Sequence, residues 1–85
     1  MNIMYSIRDI SEYIVLFIAA FAQRYSMTDV EAYKYLKHYG AIKVVHEFYD
    51  VMHTQPMNDM VQSIASYCHS YDSALSWFYG KHRTN

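Results

Sequence analysis

Apolar side chains recur at intervals of three and four residues along almost the whole chain, and no stretch alternates with the two-residue period of a strand for long enough to compete. From Ser6 to about Tyr25, the residues Ile7, Ile10, Ile14, Phe17, Ile18, Phe21 and Tyr25 fall on one side of a helix, with Ser6 placed to cap it and Asp9 in its first turn. A second helix opens at Thr28. Glu31, three residues later, completes a capping box in which each side chain satisfies an amide that the helix start leaves free. Val30, Tyr33, Leu36 and Tyr39 are then expected to face inward. Gly40 stands where a helix can end in a left-handed residue without a Cβ clash.

A third helix starts at once, with Ala41, Val44, Val45, Phe48, Tyr49 and Met52 as its apolar face and Lys43, Glu47 and Asp50 nearer solvent. The spacing predicts a fourth helix that Thr54 can cap, with Pro56 in its first turn, where a missing amide hydrogen costs nothing; Asn58 is the alternative start. It follows Met57, Met60, Val61, Ile64, Ala65, Cys68, Tyr71, Leu75 and Phe78 towards Gly80. The expected fold is all-α, a compact bundle of four helices, or five if the last one breaks near Ser70 to Asp72, with the second and third helices as a central helix-turn-helix pair. Residues 1–85 read as a single domain, with an ordered core over about 6–80 and a polar tail over 81–85.

A chain of 85 residues and 10.1 kDa is close to the smallest that one core can hold together. Hydrophobic residues make up 53% of it and ten are tyrosines, more apolar surface than so short a chain readily hides, so a self-associating face and a homodimer are expected. Tyr35, Tyr71, Trp77, Phe78 and Tyr79 are the candidates for exposed aromatic contacts at an interface, and Met52, Met57 and Met60 can pack adaptably. The formal charge is -1 with no long basic block, so nothing invites a nucleic acid backbone. Arg8, Asp9 and Glu12 interrupt the order of a signal peptide, and the uncharged run from Tyr13 to Ala22 is half of the ~20 residues a membrane span needs. Cys68 has no intramolecular partner and lies in an apolar stripe, as a buried reduced thiol does. These features together point to the cytoplasm and away from membranes.

The third helix also carries a resemblance. Leu36, Lys37, Tyr39, Gly40, Ala41 and Ile42, followed by Glu47, Tyr49, Asp50, His53 and Thr54, stand in an order that resembles a small bacterial family of uncharacterised helical domains, over roughly Tyr13 to Cys68. The segment after His69, through Trp77 and Phe78, has no counterpart in that pattern. The resemblance implies a small helical domain without an assigned activity, and an accessory or antitoxin-like role beside a neighbouring enzyme.

The Tyr49, Asp50, His53, Thr54 patch admits two readings. His46, Asp50 and His53 would share one face of an unbroken helix, a spacing that can hold a divalent transition metal. The favoured reading is a corner brace. His53 at a helix C-terminus can meet a free carbonyl, Tyr49 one turn earlier can touch it, and Thr54 can cap the next helix. No cofactor or metal is therefore expected. With two glycines in the chain there is no nucleophile elbow and no phosphate-cradling loop, which speaks against an enzyme. The expected function is a non-enzymatic protein-protein interaction module with a protein partner yet to be identified. The alternative is a helix-turn-helix DNA-binding regulator, although Lys43 would share the reading surface with Glu47 and Asp50, the wrong charge for a major groove.

Overall fold

The computed structural model describes residues 7–82, and the side chains of residues 8–70. Among them there are five helices and no strand: α1 (Ile7–Arg24), α2 (Asp29–His38), α3 (Ala41–Glu47), α4 (Tyr49–Met52) and α5 (Met57–His82). The fold is an all-α bundle in which α1 is the centre, touching α2, α3 and α5. Its inward stripe is Phe17, Phe21 and Ala22, completely or almost completely buried, flanked by half-buried Tyr13, Ile14 and Ile18. Ala32 and Leu36 of α2, Ala41 and Val45 of α3, Met52 of α4, and Val61, Ile64 and Cys68 of α5 close on that stripe.

The helix boundaries follow from local chemistry. Thr28 Oγ1 accepts from the Glu31 amide at 3.1 Å and Glu31 Oε1 accepts from the Thr28 amide at 2.8 Å, so the capping box at α2 is complete. At the other end of α2, Gly40 takes φ +72 and its amide donates to the Lys37 carbonyl at 3.1 Å. The same residue is the N-cap of α3, and its carbonyl accepts from the Val44 amide at 3.2 Å. One left-handed residue thus ends one helix and begins the next, producing the tight α2–α3 pair. The turn after α1 has the same hand without a glycine. Ser26 has φ 57 and the Met27 amide reaches back to the Ala22 carbonyl at 2.8 Å, the long bond of a Schellman turn.

Five details depart from the sequence reading. In α2 the buried stripe is Ala32 and Leu36, while Val30 and Tyr33 are exposed. Both sets have helical spacing, and the small Ala32 lets the backbone approach closely enough for its row to win the contact. Tyr25 is likewise more than a third exposed, because it lies past the end of α1.

The third predicted helix is split. Phe48, at φ -106 and ψ 21, leaves the helical region, and its side chain stays in solvent while Tyr49 and Met52 turn into the core. Thr54 does not cap α5. Its hydroxyl instead donates back to the Val51 carbonyl at 2.6 Å, and the Pro56 carbonyl receives the Asp59 and Met60 amides at the start of α5. Finally, α5 runs through Ser70 to Asp72 without a break and past Gly80 to His82, so the fifth helix arises at Phe48.

The two left-handed residues give opposite predictions. A Cβ at Gly40 would meet nothing within 4 Å, so Gly40→Ala carries only the backbone penalty and is expected to cost about 1 kcal/mol. Ser26→Gly relieves the same penalty and is expected to stabilise by up to about 1 kcal/mol. Urea titrations followed by circular dichroism read both; equal midpoints for the two variants would contradict the assignment.

Candidate functional site

The predicted patch folds as a corner between α4 and the loop to α5. A helix of four residues has almost no internal hydrogen bonds, so its carbonyls must be satisfied from outside the helix. His53 Nδ1 lies 2.7 Å from the Tyr49 carbonyl, an acceptor, which assigns the ring proton to Nδ1. The imidazole stacks on the Tyr49 ring at 4.5 Å between centroids and 11° between planes. Thr54 takes the Val51 carbonyl through its hydroxyl, and the Met52 carbonyl accepts from the Gln55 amide at 3.0 Å and from the Tyr13 hydroxyl of α1 at 3.4 Å. Tyr13 also stands edge-on to Tyr49, centroids 5.4 Å apart. Burial, and then the neighbouring Tyr49, push the Tyr13 hydroxyl above its ordinary pKa.

Of the four patch residues, Tyr49 and His53 come together, Thr54 joins them through the α4 carbonyls, and Asp50 is exposed in solvent. The metal-holding face requires an unbroken helix, and the turn at Phe48 removes it. His46 is exposed on α3 whereas His53 is half-buried in the corner, and among the described residues no three His, Cys, Asp or Glu side chains gather closely enough to hold an ion.

Tyr13 is the member of the corner that the sequence reading did not single out. Its signal is the four-residue spacing of Tyr13, Phe17, Phe21 and Tyr25, an aromatic row on one side of α1. A second tyrosine acts in the same way: Tyr67 of α5 donates to the Tyr39 carbonyl, at the end of α2, at 3.3 Å. Tyr35, a predicted interface residue, is half-buried, stacked on Phe21 at 5.8 Å and edge-on to Tyr39 at 5.0 Å. Tyr71, Trp77, Phe78 and Tyr79 lie outside the residues whose side chains are described.

Among the described residues, two of the largely apolar open clefts flank α1. On the outer side of α1, Val15 and Leu16 are more than 60% exposed beside the Arg8–Glu12 ion pair and line a shallow cleft of about 390 Å³. Between α1, α2 and α3 lies a second cleft of about 450 Å³, whose walls include Ile14, Tyr33 and Ile42 together with Lys37, Lys43 and His46. The Lys37 ammonium sits 5.7 Å from the centre of the Tyr33 ring. Among the described residues no charged side chain is buried, and Cys68 is fully buried, its thiol pushed up to about 11 by burial.

The chain matches the family described as "Protein of unknown function (DUF3791)" over residues 5–70. It belongs to that family. The match ends at the point where α5 carries on into the aromatic segment around Trp77, so the DUF3791 core comprises α1 to α4 and the first half of α5. Neither the curated proteins nor the solved structures contain a match to this chain. Among the described residues no helix is long and apolar enough to cross a membrane.

The corner is expected to act on stability. His53→Ala, which removes a stacked ring and a carbonyl partner, should cost about 1–2 kcal/mol, and Tyr13→Phe, which keeps the ring and loses one long hydrogen bond, less than about 1 kcal/mol. A His53→Ala protein with unchanged melting temperature would contradict the brace. The raised Cys68 pKa has a defined sign: its stabilising contribution is intact below the ordinary 9.0 and is lost as pH rises towards 11. Unfolding free energy is expected to fall across that interval, and Cys68→Val to flatten part of the fall; a variant with the full wild-type slope would contradict it.

Proposed function

We propose that this DUF3791 protein is a non-enzymatic helical interaction module that associates with itself and serves a protein partner as an accessory subunit. The observation that carries this reading is the number of large apolar side chains left in solvent. Val15 and Leu16 on α1, Val30 and Tyr33 on α2, and Phe48 and Val51 on or beside α4 are all exposed. In a domain this small such residues are a standing cost in water unless a second surface covers them. The corner of Tyr49 and His53 gives independent support, since both rings and the His53 Nδ1 proton are engaged in holding α4.

The DNA-binding alternative would use α3 as the reading helix. That helix has seven residues, about 10 Å of length, and it presents Glu47 beside Lys43 and His46. An accessory interaction role within the cytoplasm accounts for the exposed apolar surface better than phosphate binding does.

Light scattering on the eluted peak is expected to give twice the chain mass of 10.1 kDa. A monomer at high concentration would remove self-association, and a tagged chain that recovers duplex DNA and no protein from its host would favour the alternative.

A further inference from the structure

The charges of the α2–α4 region are segregated along the chain. From Lys34 to His46 there are three lysines and no acid; from Glu47 to Gln55 there are two acids and no Lys or Arg. Folding gives these blocks different settings. The cationic block rims a concavity: exposed Lys37, Lys43 and His46 surround a floor of half-buried Ile14 and Ile42 with the ring of Tyr33. The anionic block surrounds exposed apolar side chains. Phe48 and Val51 are 53% and 56% exposed at the break between α3 and α4, with Glu47 and Asp50 exposed on either side of Phe48 in sequence. Lys43 and Glu47 stand four apart on α3 and yet form no ion pair with each other among the described residues.

We propose that the Phe48–Val51 ridge of one copy seats in the Lys37–Lys43–His46 cleft of a second copy, so that Glu47 and Asp50 meet the lysines across the interface. The apolar side chains match an apolar floor, and the acids match a basic rim. Rim residue Lys43 and ridge residue Glu47 are one turn apart at exposed positions of α3, so cleft and ridge border one face of that helix. A two-fold axis then satisfies both at once, each copy giving a ridge and receiving one, which closes the assembly at two chains and avoids an open head-to-tail filament. This rests on the self-association proposed above and assigns it a surface; the outer face of α1, with Val15 and Leu16, stays outside the contact and is left for a different protein.

The test is a charge exchange on exposed residues. Lys43→Glu sets acid against acid in both halves of the two-fold contact, and Glu47→Lys sets base against base, so each variant alone is expected to weaken the dimer roughly tenfold or more by sedimentation equilibrium. An equimolar mixture of the two is expected to recover it, because every contact is then complementary in the heterodimer. Phe48→Ala should weaken association without a charge change, and the wild-type dimer should weaken as salt rises past about 0.1 M. Circular dichroism confirms that each variant is folded. Wild-type chains that dimerise while both single variants dimerise equally well would overturn this surface and leave self-association standing. A mixture that stays monomeric would also overturn the pairing. A monomeric wild type would remove both.

Discussion

Tyr13, Phe17 and Phe21 of α1 and Tyr25 just beyond it stand four residues apart, and rings from α2, α4 and the residues that end them build on this row: Tyr35 on Phe21, Tyr39 on Tyr35, Tyr49 on Tyr13, and His53 on Tyr49. Aromatic rings bury much area with few rotamers to freeze, so a short chain obtains a wide, stiff contact surface from few residues. The aliphatic side chains of α3 and α5, Val45, Val61 and Ile64, complete the same core around Phe17 and Phe21. Without the row there is no common surface for helices as short as α3 and α4, which cannot be stable on their own.

Short helices bring a second difficulty, the large share of backbone carbonyls at their ends. The protein meets it with side chains from other elements. Tyr13 reaches the Met52 carbonyl from α1, Tyr67 reaches the Tyr39 carbonyl from α5, and His53 and Thr54 fold back on Tyr49 and Val51. Tyr13 thus serves twice, its ring packing against the core and its hydroxyl donating to a helix end elsewhere, and Tyr67 supplies a second such donor. Each such bond is worth only about 1 kcal/mol, but an unmet buried carbonyl costs more than the bond returns.

The residues most conspicuous in the sequence are therefore occupied with folding, and the surface chemistry lies elsewhere. The break at Phe48 turns Tyr49 and Met52 inward and Phe48 outward, so one local backbone choice creates the brace and the exposed ridge together. An unbroken third helix would have hidden Phe48 on the apolar face and left no acidic and apolar ridge next to the basic cleft. The interaction reading and the DUF3791 fold are linked at that residue.

Thr28 with Glu31, and Gly40, declare the limits of α2 and the start of α3, because capping and left-handed backbone depend on neighbours a few residues away. The helical class and the contact between Tyr49 and His53 were readable for the same reason, since spacing of four on a helix is a local relation. What needed the tertiary structure was every choice between equivalent local options. Val30–Tyr33 and Ala32–Leu36 both make stripes, and only the approach of α1 selects the second. Thr54 can cap forwards or backwards, and its hydroxyl joins its own amide on the Val51 carbonyl at the end of α4. Tyr13 reaches Met52 across 39 positions of chain, a partner no local pattern names. The sequence by itself determined where α2 and α3 start and which residues are apolar enough to pack; the tertiary structure decided which apolar face is covered, because that depends on the shape of the surface that arrives from a distant part of the chain.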